Sequence, residues 1–108
     1  MDFMGMMKKA QEMQAKLQEA QEELGRIEVH GASGGGMVTV TMTAKGDLKG
    51  VAIDPSLLTP ADKEMVEDLI IAAFGDAKVK AERAAGEKMQ ALTAGLPLPP
   101  GMKLPFQD

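Results

Sequence analysis

The spacing of apolar residues changes character twice along this chain. Met6, Ala10, Met13, Leu17, Ala20, Leu24 and Ile27 step alternately by four and three, the heptad stripe of an amphipathic helix. Asp2 is placed to cap its start and Gly25 its end, which predicts a helix from Phe3 to Leu24, about 33 Å long at 1.5 Å per residue. The period then drops to two. Ile27 and Val29 alternate with polar residues over Arg26 to His30, and Val38, Val40 and Met42 alternate with Met37, Thr39, Thr41 and Thr43. A third run, Leu48 to Asp54, brings Val51 and Ile53 to the same apolar face and stops at Pro55, which has no amide for a ladder. The Gly31 to Gly36 loop and the Lys45-Gly46-Asp47 turn join the three runs into an antiparallel meander.

Helical spacing returns after Thr59-Pro60-Ala61-Asp62, where Thr59 suits an N-cap, Pro60 the first helical position and Asp62 a reach back in the manner of a capping box. The helix is predicted to continue to about Ala94, with Gly95 ending it. Val66, Leu69, Ile70, Ala73, Phe74 and Ala77 supply its apolar face. Beyond Gly75 that face is nearly all alanine, so the first half is expected to cover the sheet and the second half to bury little. The remainder, Leu96-Pro97-Leu98-Pro99-Pro100-Gly101 onward, has the composition of an extended, mobile tail. The fold class is α+β: a long N-terminal helix, a three-stranded antiparallel β-meander and a long C-terminal helix, with one domain over residues 1–95 and a Pro-rich tail over 96–108.

Composition narrows the chemistry. The chain has 108 residues, 44% of them hydrophobic, a net charge of -4 and no cysteine, which excludes disulfides, thiolate zinc sites and a cysteine nucleophile. Ten methionines against three phenylalanines make the core aliphatic and adaptable, and leave little aromatic surface on which bases could stack. Apolar runs fall far short of the roughly 18 residues of a membrane span, and lysines follow the N-terminus too soon for a leader, so neither membrane anchor nor signal peptide is expected. A reducing cytoplasm fits.

Catalytic motifs are missing. His30 is the single histidine, so no histidine pair can form and a structural or surface role is expected. The Gly34-Gly35-Gly36 run lacks the Gly-Lys-Ser/Thr ending of a P-loop and precedes a strand instead of a helix. Gly31-Ala32-Ser33-Gly34 matches a GXXG loop formally, but between strands, where it suits a turn. The carboxylates lie on solvated helix faces with no apolar pocket to raise a pKa. The sequence implies no enzyme, cofactor, metal site or small-molecule substrate.

Charge placement carries the remaining information. Lys8, Lys9 and Lys16 fall within about 100° of one another on a helical wheel, on the side away from the heptad stripe. Glu12, Glu19 and Glu23 share that face, making it basic first and acidic later, against the helix macrodipole. The second helix follows the dipole, with Asp62, Glu64, Glu67 and Asp68 early and Lys78, Lys80, Arg83 and Lys88 late. A bland account of the first helix is a solvated face laced by Glu12–Lys16 and Glu22–Arg26 pairs. A sharper account is a site for phosphates.

The order of segments adds a resemblance. A Met-rich lysine helix is followed by Gly34-Gly35-Gly36-Met37-Val38-Thr39-Val40, Gly46-Asp47-Leu48-Lys49-Gly50-Val51, Ile53-Asp54-Pro55-Ser56-Leu57-Leu58, and Met65-Val66-Glu67-Asp68-Leu69-Ile70-Ile71-Ala72-Ala73-Phe74 with Asp76, Ala77 and Lys80. This ordered set resembles the YbaB/EbfC family of bacterial nucleoid-associated proteins over about Met1 to Ala94. The resemblance implies a tweezer-shaped homodimer with protruding helices that binds double-stranded DNA with little or limited sequence preference in the cytoplasm, at the nucleoid. It carries over no DNA-reading motif, so Lys8, Lys9, Lys16, Lys78, Lys80, Arg83 and Lys88 are DNA-binding candidates on charge alone. Met6, Met13, Leu17 and Leu24 are the candidate dimer seam. The alternative is a protein-binding or chaperone-like acidic dimer that presents Met-rich helical surfaces.

Overall fold

A computed structural model of the chain describes residues 2–94; the 96–108 tail and the expected stop at Gly95 lie outside them. The order of elements is α1 (Phe3–Leu24), β1 (Glu28–Ser33), β2 (Val38–Thr43), β3 (Leu48–Ile53) and α2 (Lys63–Thr93). The strands form one antiparallel sheet in the order β1-β2-β3. Asp2 caps α1 as expected, its carboxylate accepting from the Met4 amide at 3.2 Å. Gly25 ends the helix in a right-handed conformation, with no left-handed cap.

Both ends of β1 differ from the sequence expectation. The turn after α1 holds Arg26 and Ile27, whose amides still bond to the Glu23 carbonyl, so the ladder opens only where the Ala44 amide reaches the Ile27 carbonyl at 2.9 Å. At its other end the strand continues through Gly31, Ala32 and Ser33, expected to be loop. Gly31 serves close approach instead of a turn: a Cβ there would stand 2.2 Å from the Ala73 carbonyl oxygen and 2.3 Å from the Ala77 nitrogen of α2. The turn contracts to Gly34–Gly36, all three with positive φ, a conformation that other residues adopt only with strain.

The β2 alternation holds as read. Val38, Val40 and Met42 are fully buried beneath α2, joined by Leu57, Ala73, Ala77 and Ala81. Directly opposed residues share a face, so Val51 beside Val40 and Ile53 beside Val38 also point to the helix side. They do not close it. α2 crosses β1 and β2 and leaves β3 uncovered, so Ile53 is half-buried while Val51 and Leu48 are exposed.

α2 begins with a 3-10 turn at Pro60–Asp62. The expected capping box is replaced by a simpler contact, the Thr59 hydroxyl donating to the Asp62 carboxylate at 2.9 Å. The alanine half of α2 buries much more than expected. Ala77 lies over Gly31 and Ala81 joins the same sheet core, and Ala84, Ala85, Met89 and Leu92 pack against Ala20, Leu24 and Ala44. Small side chains permit the helix backbone to come close, so bulk is not needed for burial.

α1 packs on α2 only near its own C-terminal end. Leu24 and Ala20 meet Met89 and Leu92, while Met6 and Leu17 remain exposed and Met13 half-buried. The first half of α1 thus extends as an arm. The radius of gyration, 19.6 Å, greatly exceeds the roughly 13 Å of a compact chain of about 100 residues.

Gly75 and Gly86 sit inside α2 with ordinary helical φ, and a Cβ added at either would meet nothing within 4 Å. Replacing either by Ala is expected to raise stability by about 0.5–1 kcal/mol through lower backbone entropy in the unfolded chain, visible as a higher midpoint in urea.

Candidate nucleic-acid interface

The seven basic candidates separate into three groups. Lys8 and Lys9 stand exposed on the projecting half of α1, neither in an ion pair among the described residues. Lys16 lies farther along, where α1 meets α2. The groove there is lined by Lys16, Glu19, Ala20 and Glu23 of α1 with Lys88, Ala91 and Leu92 of α2. This corrects the expected position of that face. At 100° per residue Glu23 is only a quarter-turn from the buried Leu24, so the charged face flanks the packed stripe. The α1 pairs Glu12–Lys16 and Glu22–Arg26 are not among the ion pairs of the described residues; Glu23 instead pairs across to Lys88.

The second group is tied up inside the fold. Lys88 holds α2 to α1 through Glu23. Lys80 donates to the His30 carbonyl at 2.9 Å and pairs with Asp76 at 3.2 Å, while the Asp76 carboxylate accepts from the Ala32 amide at 3.0 Å. Together Asp76 and Lys80 satisfy a donor and an acceptor on the outer edge of β1, and Ser33 adds a hydroxyl bond to the Leu69 carbonyl at 2.6 Å. An edge latched in this way is closed to further strands. The i,i+4 spacing of Asp76 and Lys80 is visible in the sequence; their grip on β1 is not, because it depends on where the sheet lies.

The third group comprises Lys78 and Arg83, both exposed on α2. Lys78 shares a hollow of about 350 Å³ with Lys45, Gly46, Phe74 and Glu82. Lys45, in the β2–β3 turn, is a basic neighbour that sequence spacing gives no reason to single out. His30 bonds to the Thr41 hydroxyl across the open face of the sheet, at 3.1 Å from Nδ1. Among the described residues no three His, Cys, Asp or Glu side chains converge as a metal site would require, and no helix is long and apolar enough to cross a membrane.

Two carboxyls are held below their usual range. Asp76 is lowered by the Ala32 amide first and then by Lys80, and Asp54 by the amide and hydroxyl of Ser56. A carboxyl depressed by folding adds stability above its unfolded pKa of about 3.9, and that share is lost as pH falls through the folded value. Asp76→Asn should therefore have a shallower decline of Tm with acid than the parent below about pH 4, with the parent's advantage confined to higher pH. Thermal melts across that range measure it.

Known proteins can be set against this geometry. The sequence matches the YbaB/EbfC DNA-binding family over residues 1–96. The chain belongs to that family. It is 59% identical over 101 residues to the nucleoid-associated protein bll8115 of Bradyrhizobium diazoefficiens, covering 94% of this chain and 95% of that protein. A nucleoid-associated protein of Methylocella silvestris is 59% identical over 105 residues, 97% of this chain and 98% of its own. Among solved structures, the crystal structure of uncharacterized protein HP0035 from Helicobacter pylori matches with a TM-score of 0.72 and 29% identity, over 87% of this chain and 97% of that one. The helix, three-stranded sheet and helix read from the sequence are thus also the architecture of a solved relative. The family is one of nucleoid-associated DNA-binding proteins and not of enzymes.

Proposed function

We propose that this protein binds double-stranded DNA as a homodimer at the bacterial nucleoid, in the cytoplasm, mainly through the phosphate backbone and with little sequence preference. The observation that carries the reading is the placement of Lys8 and Lys9, outside every ion pair of the described residues, on an arm that buries little against the other described residues. Family membership supplies the ligand class. Local lysines attract phosphates despite the net charge of -4, and a dimer presents each patch twice. No zinc finger or recognition motif points to base readout.

Dimerisation is supported by apolar surface that the described residues leave exposed. Leu48 and Val51 on β3 lie on the α2 side of the sheet, and α2 exposes Ile71 and Phe74. Unlike β1, the outer edge of β3 has no latch among the described residues. A second copy pairing β3 with β3 about a two-fold axis would extend the sheet and cover these apolar side chains. In this arrangement the expected seam divides: Leu24 belongs to the chain's own α1–α2 packing, and Met6, Met13 and Leu17 remain on the arms. Sedimentation should show a dimer at micromolar concentration for the parent, and Val51→Glu should shift it to monomer. A parent that sediments as a folded monomer sinks the dimer.

The decisive experiment for DNA is duplex binding over a salt series. A linear fall of log affinity with log salt, similar for unrelated sequences, supports phosphate contact. No binding at low salt rejects it and favours the protein-binding alternative.

A further inference from the structure

A cluster of exposed apolar side chains gathers at the free end of α1. Phe3 is 72% exposed, Met4 77%, Met6 53% and Met7 49%. At 100° per residue they spread over about 160° of the helix. Ala20 and Leu24, which mark the stripe packed on α2, are only about 40° apart on the same wheel. Met4 and Met7 therefore lie well outside any continuation of the α1–α2 seam, and one partner helix along that seam would leave them in water. So broad an apolar tip calls for an occupant that surrounds it.

Charge says which occupant. Lys8 follows Met4 by four residues, a spacing that puts the two side chains about 5–6 Å apart at Cβ, and Lys9 follows directly. Met4, Met7 and Lys8 line one shallow hollow of about 420 Å³ with Asp2, Gly5 and Gln11. The one carboxylate at the tip, Asp2, is engaged in capping through the Met4 amide. Apolar side chains at the end of an arm, with cations one turn behind, match what opens a base step: cations hold the phosphates while the apolar group enters the stack.

We propose that Phe3 and Met4 form an apolar wedge that enters a base step of duplex DNA from the minor groove and kinks the helix, while Lys8 and Lys9 hold the flanking phosphates. The wedge rests on the DNA reading above and adds a mechanical outcome to it: the duplex is bent as well as bound. Pyrimidine–purine steps such as TA, which unstack most readily, are its preferred entry points, giving a mild shape preference without base hydrogen bonds.

The test uses the full chain and a Phe3→Gln/Met4→Gln double variant, which removes the wedge, keeps good helix formers and touches no buried residue. The probes are a duplex with 2-aminopurine beside a central TA step and one with fluorophores at its ends. The parent should brighten the 2-aminopurine and bring the ends together by a bend of roughly 20–90°. The double variant should do neither, should bind roughly tenfold more weakly, and should keep the parent's salt slope because its lysines are intact. Equal brightening and bending by parent and variant overturn the wedge, as does a parent that binds without either. If the variant instead loses binding to phosphatidylserine vesicles and keeps parental DNA binding, the tip is a lipid-facing surface and the wedge is rejected. A parent that binds no duplex at low salt fails at the earlier step, the DNA reading itself.

Discussion

Gly31→Ala is expected to destabilise the protein by about 3 kcal/mol or more, a large share of the roughly 5–15 kcal/mol available to a small domain. The added Cβ would meet backbone, 2.2 Å from the Ala73 oxygen and 2.8 Å from the Ala77 Cα, so no side chain can rotate away. Relief requires α2 to lift off β1. That movement loosens Ala73, Ala77 and Ala81 from Val38, Val40 and Met42 and strains the Asp76 and Lys80 contacts with the strand edge. Gly50→Ala provides the control, since the same addition in β3 meets nothing within 4 Å. Urea denaturation of the two variants should show a large drop in midpoint for Gly31→Ala and little change for Gly50→Ala. Equal effects would mean that the helix does not press on β1 as described.

The Gly31 contact also marks the boundary of what local sequence signals can reveal. Period and the Asp2 cap are local properties, and they are legible: α1 runs from Phe3 to Leu24, the β2 row is Val38, Val40 and Met42, and α2 ends at Thr93, one residue from expectation, whereas the capping box expected at Thr59–Asp62 does not form. Gly31 is not legible in this way, because a glycine in a glycine-rich stretch looks like a turn, and only the position of α2 reveals that it clears space. The alanine half of α2 escapes for a related reason, since side-chain size suggests little burial where close backbone approach decides it. Val51 follows its alternation yet remains exposed, because alternation assigns a face without saying how far the covering helix extends.

The candidate site is legible as charge and illegible as partnership. Sequence separates the seven basic residues only by helix and dipole sense, yet Lys80 and Lys88 are committed to β1 and to Glu23, while Lys8 and Lys9 have no such duty among the described residues. Free cations on an arm beside committed cations near the core form a division of labour. It predicts that mutations of the two sets will separate in experiment, with Lys80→Ala or Lys88→Ala acting on stability and the arm lysines acting on ligand.

Replacing Lys8, Lys9 and Lys16 together by Ala is expected to weaken duplex binding by about a hundredfold near 0.15 M salt and to flatten the salt slope by about 0.9 for each phosphate no longer neutralised. The reduction should be the same for unrelated sequences, because released counterions carry no sequence information. Lys16 should contribute least, since Glu19 and Glu23 line the same groove and draw on its field, so Lys8→Ala/Lys9→Ala should recover most of the triple effect. Helix content and dimer stability should barely change: all three side chains are exposed, and alanine favours a helix at least as well as lysine does. A triple variant that binds as tightly as the parent with the same slope moves the contact to Lys78, Arg83 and the neighbouring Lys45. A loss confined to one sequence would instead mean that the arm lysines read bases or groove shape, and the phosphate-dominated account would be wrong. The outcome follows from arrangement more than from charge count: on the outer half of α1, Lys8 and Lys9 have Glu12 as the one acid within a turn on their face, whereas Lys16 shares its groove with Glu19 and Glu23.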